Sequence, residues 1–218
     1  MRRMLSGVAA LMFGAAVGST LDAQACMGLN SPTNLQFGAE VGNDAKAFGA
    51  NVNFGKSTGV FFGVGANYTS LDHDLGNIKG VAGTIGWSVG AGSEKKLAVC
   101  PNASIGYSSG PNDILGSGID LSTISASGGL SVGIPVAAGS DFTLIPTASF
   151  DLVYASVKAK GATGSETESD AFGLLSGGVG FMISPRFLIK PFISIPVALD
   201  NSDPSFGIIL SIGFGKGS

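Results

Sequence analysis

Charge is scarce in this chain: Asp, Glu, Lys and Arg make up 12% of its 218 residues, where an ordinary soluble domain carries about a quarter. Beyond Arg2 and Arg3 the only arginine is Arg186, and the net charge is -3. That argues against nucleic-acid binding, which needs a basic surface. Past the N-terminal segment, no run approaches the roughly 20 uninterrupted apolar residues of a membrane-crossing helix. Helical spacing of apolar residues is almost absent, and cysteine occurs only at Cys26 and Cys100. What is abundant is glycine, with 35 residues, alongside a positive mean hydropathy. A chain with so little charge and so much apolar surface must place that surface somewhere other than water.

The N-terminus reads as a processing segment. Arg2 and Arg3 precede an apolar run from Val8 to Val17 and then Ala23-Gln24-Ala25, the charged, apolar and small-residue order of a secretory signal peptide. Residues 1–25 are expected to be the signal and 26–218 the mature domain. The arginine pair lacks the flanks of a twin-arginine signal. A lipoprotein cut before Cys26 is the alternative, although Ala23 stands where such sites usually carry Leu. Export to an oxidising compartment favours pairing Cys26 with Cys100; a lipidated Cys26 or a free thiol are the other readings.

From Asn34 onward the pattern has period two. Ten segments are expected, near 34–41, 45–54, 58–70, 77–90, 97–108, 120–134, 141–157, 170–183, 186–199 and 205–215, close to the length of a membrane-crossing strand. In the third, Val60, Phe62, Val64, Ala66 and Tyr68 oppose Gly63, Gly65, Asn67 and Thr69. In the last, Phe206, Ile208, Leu210, Ile212 and Phe214 oppose Gly207, Ile209, Ser211 and Gly213. A β-sandwich also alternates, but its polar face meets bulk water and normally carries Lys, Glu and Arg. Here that face is Gly, Ser, Thr and Asn, which suits the interior of a small barrel. The expected fold is all-β, a closed antiparallel transmembrane β-barrel of about ten strands.

Turn lengths alternate as such a barrel requires. "GKS", "AGSEKK", "VAAGSD" and "SPR" fall at one end, and "LDHDLG", "SGPNDILGSG", "KGATGSETES" and "DNSDPS" at the other. The first loop, Gly42 to Asp44, is the short exception. Tyr68, Tyr107 and Tyr154 fall on the apolar parity at the outer ends of strands, and Trp87, Phe54, Phe181 and Phe214 on that parity at the inner ends. Two such aromatic girdles bracket the apolar band of a lipid-facing barrel.

With these features the chain resembles the small outer-membrane β-barrel proteins of Gram-negative-type bacteria, across residues 26–218. The features that carry the resemblance are the signal segment, the alternating strands, and a final strand with Phe206 and Phe214. Families of this kind often end on an aromatic residue, whereas this chain continues through "GKGS". The resemblance implies outer-membrane lipid or lipopolysaccharide and the barrel-insertion machinery as partners, and no cofactor. It is poor for activity, because one barrel serves pores, adhesins, anchors and some lipid enzymes.

The candidate sites follow from the threading. Gly63 and Gly65 form a GxG that no helix follows, so it is not a dinucleotide loop. His73 lies between Asp72 and Asp74 in an outer loop. An Asp/His pair can orient a base, but no second cluster accompanies it, and a solvated acidic loop is the plainer reading. Ten of the fourteen acidic residues beyond the signal fall in or beside outer loops, including Asp72, Asp74, Glu166, Glu168 and Asp170. Such an acidic outer rim would recruit divalent cations or bias a pore toward cations. Glu40, Asp151 and Lys190 are the charges left inside, expected as an ion-paired cluster. A disulfide between Cys26 and Cys100 would tether the N-terminal segment across the inner mouth.

The function expected is non-enzymatic: a small pore for ions or small solutes, or a structural surface protein. A lipid- or peptide-modifying outer-membrane enzyme and an exported soluble β-sandwich binding module are the alternatives. The oligomeric state is not written in the sequence.

Overall fold

The computed structural model describes residues 31–55, 59–72, 75–89, 97–111, 118–138, 142–161, 164–184, 186–197 and 203–215. Among these there is no helix. The strands are β1 (Thr33–Val41), β2 (Ala45–Gly55), β3 (Gly59–Leu71), β4 (Gly76–Ser88), β5 (Ala98–Ser109) and β6 (Asp120–Gly133), followed by β7 (Val136–Ala137), β8 (Thr143–Gly161), β9 (Gly164–Ser184), β10 (Phe187–Val197) and β11 (Ser205–Phe214). Each pairs antiparallel with its sequence neighbours, apart from the two-residue β7, which pairs only with β8. The sheet closes twice, through β1 with β11 and through β6 with β8. The wall is thus a closed barrel of ten strands, and β7 is a short spur beside its rim.

Alternation decides which side chains face out. On β3, Val60, Phe62, Val64, Ala66 and Tyr68 are exposed, while Phe61, Gly63, Thr69 and Leu71 are buried. The same holds around the wall, where large apolar side chains with 37–64% exposure cover the outside. A continuous apolar band of this extent is unsuited to water and suited to lipid. Closure also removes every free edge within the band, as an apolar solvent demands, with the β9–β10 ladder interrupted at Lys190 and Pro191.

Two glycines show how tightly the interior is filled. A Cβ on Gly86 would overlap the ring of Phe61, its cross-strand partner. A Cβ on Gly129 would overlap the carboxylate of Asp151, likewise its cross-strand partner. Glycine at these inward positions gives up wall volume so that a larger neighbour can lie flat across it.

One expected loop is instead strand. The outer loop expected at "KGATGSETES" is largely strand, since β8 and β9 stay paired up to Gly161 opposite Gly164. On β9 Ser and Thr alternate with Glu, and on β8 Lys158 and Lys160 alternate with Val157 and Ala159, so charge interrupts both strands and leaves only a weak apolar period. Backbone pairing to a neighbouring strand, invisible in composition, holds it.

Candidate functional site

The seven girdle aromatics all project from the outward face. Tyr68 pairs with Lys79 in a row that continues to Ser109 and Ser122. Tyr107 lies two residues below that row on β5, and Tyr154 two residues lower again on β8, where it pairs with Ala126. A level ring on a tilted barrel must descend the hydrogen-bonded rows in this way. At the terminal end, Trp87 pairs with Val60, Phe54 with Phe62, Phe181 with Leu144, and Phe214 with Thr33 of β1. The two sets stand roughly six to ten residues apart along tilted strands, which places them about 15–25 Å apart.

Inside, the level of the tyrosines is mostly apolar, with Thr69, Ser108 and Thr123 also buried there. Leu71, Ile78, Leu121, Val153, Ala155, Val157, Phe172 and Leu174 form one buried cluster. Phe172 pairs with Val153, the residue before Tyr154, and Ile78 with Thr69, the residue after Tyr68. Ile78 of β4 and Val157 of β8 belong to this cluster although β5 and β6 separate their strands along the wall. The cluster therefore draws on β3, β4, β6, β8 and β9 at the mouth opposite the termini. This corrects the expectation of a lumen lined throughout by small and polar residues. The signal was present in "LVYASV" on β8 and "FGLL" on β9, which are apolar on both parities and so lack the contrast that alternation relies on.

Beneath the cluster the interior turns polar. Asn51 Nδ2 donates to Asn53 Oδ1 at 3.0 Å, and Asn53 Nδ2 to Asn34 Oδ1 at 3.1 Å. Hydroxyl pairs tie other walls together, with Ser104 to Ser127 at 2.7 Å and Ser176 to Ser194 at 2.9 Å. Gln36 is fully buried without a hydrogen bond to either amide atom. Glu40, Asp151 and Lys190 are all buried, on β1, β8 and β10. Asp151 and Lys190 stand two strands apart, as do Lys190 and Glu40 around the closure. Glu40 accepts a hydrogen bond from Ser205 Oγ, and Asp151 reaches across Gly129 toward Asn102 of the next strand. At the terminal end Ile145 and Leu188 are buried against Met182, with Ser211 buried opposite Leu188.

The acidic rim divides into two parts. Asp72 closes the β3–β4 turn, where its carboxylate lies 3.7 Å from Lys46 Nζ and its N–H donates to Asp44 O at 2.9 Å. Both side chains of that ion pair are well exposed, so it contributes at most about 1 kcal/mol. Asp203 accepts from Asn43 Nδ2 at 2.5 Å. His73 and Asp74 lie outside the described residues. Glu166, Glu168 and Asp170 sit not on a loop but along the exposed upper part of β9. Cys100 is fully buried on the inward face of β5, and Cys26 lies outside the described residues.

No family model matches the chain, and no curated protein matches it. Among solved structures it is similar to the N-terminal β-barrel domain of Pseudomonas aeruginosa OprF, at 8% identity and a TM-score of 0.37, over 84% of this chain and 96% of that one. It is also similar to the KdgM porin, at 6% identity and a TM-score of 0.41, over 84% of this chain and 99% of that one. Ail, the attachment invasion locus protein of Yersinia pestis, is 12% identical with a TM-score of 0.33, over 83% of this chain and 93% of that one. The barrel assignment rests on the strand pairing, and the likeness to these outer-membrane β-barrel proteins is one of fold.

Proposed function

We propose that the chain is a non-enzymatic outer-membrane barrel whose interior is closed to solutes and which serves as a structural surface protein. The carrying observation is the apolar cluster that five strands contribute at the mouth opposite the termini. A constriction lined by Leu, Ile, Val and Phe excludes ions because stripping their water there has no compensation. In this reading residues 1–25 direct export, the exposed apolar band sits in the outer membrane, and the aromatic sets mark its two headgroup levels. The acidic hairpin then stands on the cell exterior, next to lipopolysaccharide. A Cys26–Cys100 disulfide would anchor the mature N-terminus beneath the barrel. Charge balance inside would come from Glu40, Asp151 and Lys190.

The polar band beneath the cluster favours a second reading, a small pore whose apolar mouth opens. Conductance of the purified, folded chain in planar bilayers separates the two. The closed reading expects a silent membrane at all applied voltages, and stepwise ion conductance would overturn it.

A further inference from the structure

Among the described residues, one length of the wall has a partner on one side only. β10 pairs with β9 no further than Val197 opposite Gly173, while β9 continues to Gly164 against β8. Every residue from Gly164 to Ala171 is exposed, and among the described residues no strand lies on that side. An unpaired edge of this length is a template for an added strand.

The register gives this edge two unlike faces. Glu166, Glu168 and Asp170 stand opposite Ala159, Val157 and Ala155 on one face, and Ser165, Thr167 and Ser169 stand opposite Lys160, Lys158 and Ser156 on the other. Ser169 Oγ donates to Ser156 Oγ at 2.9 Å. The lysines of β8 thus point away from the carboxylates of β9 and do not neutralise them. A second copy added antiparallel at this edge would set carboxylates beside carboxylates, which opposes self-pairing. An incoming strand with cations on alternate positions would meet the opposite situation.

We propose that the free edge of β9 captures an extended segment of a partner protein by strand addition, one with Lys or Arg at every second position and Ser or Thr between. The basic positions lie against Glu166, Glu168 and Asp170, and the hydroxyl positions against Ser165, Thr167 and Ser169. This inference rests on the proposed surface role for where the partner comes from, but its binding test does not depend on conductance.

The test uses the full folded chain in detergent and two labelled peptides of one composition. One alternates Lys and Thr over nine residues, and the other gathers its Lys at one end. Anisotropy titrations are expected to show the alternating peptide binding at least about tenfold tighter, with that advantage lost in the E166Q/E168Q/D170N variant. Heat-modifiable migration of the variant shows that its barrel is retained. Equal binding of both peptides would mean charge attraction without strand pairing and would overturn the proposal, as would no binding or unchanged affinity in the variant. Copies that cross-link through the hairpin in place of peptide capture would overturn it as well. A conducting barrel that captures the peptide would overturn only the closed-interior reading.

Discussion

Asp151 on β8 lies directly across Gly129 on β6, its carboxylate occupying the space that any side chain at 129 would need. A buried carboxylate held this way depends on its neighbour having no Cβ. Gly129→Ala is therefore expected to lower stability by about 1–3 kcal/mol, the usual range for overpacking. Urea unfolding of the folded protein in lipid vesicles measures this. An unchanged midpoint would show that Asp151 relocates freely, and that the interior is looser than its burial indicates.

Val64 is 63% exposed near the middle of the apolar band. If that band faces lipid, Val64→Lys costs about 2–4 kcal/mol in a bilayer, because the ammonium is placed near the midplane. A barrel in water would tolerate the change to within about 0.5 kcal/mol. Folding yield and stability of Val64→Lys in vesicles distinguish the two, and a neutral effect would sink the lipid-facing assignment.

The apolar cluster makes its own prediction. Replacing Leu121 and Val157 together by Ser removes two branched side chains from the constriction and leaves hydroxyls that hold water. The double variant is expected to conduct where the parent is silent, read as single-channel steps in the same planar bilayers. A double variant that folds and stays silent would place the barrier elsewhere along the interior.

Cysteine chemistry tests the N-terminal tether. Protein purified from the exporting cell and denatured without reductant is expected to take up no thiol-alkylating reagent, and to take up two equivalents after reduction, read by intact mass. A mass increment of fatty acyl chains on Cys26 would show lipidation in place of a disulfide.

Much of the wall was legible because a membrane imposes a contrast. Lipid accepts only apolar side chains and a narrow interior accepts mostly small or polar ones, so "GVFFGVGANY" displays its two faces in the plain order of its letters. The ten wall segments, the short turn from Gly42 to Asp44 and the outward aromatics followed from that contrast together with strand length. Where both faces favour the same chemistry the contrast vanishes. In the sequence Val153, Val157, Phe172 and Leu174 merge with their lipid-facing neighbours, and the charged hairpin above them reads as a loop.

The sequence by itself determined that this is an all-β barrel wall with one face for lipid, since period two and side-chain solubility are local properties. Only the tertiary structure decided that apolar side chains of five strands gather at the mouth opposite the termini and that β9 carries, among the described residues, an unpaired, acid-faced edge. Both depend on which strands become neighbours and how the closed sheet tilts. Leu71, Leu121 and Phe172 join one cluster because pairing of distant strands brings three walls to one height, a relation that no stretch of adjacent residues contains.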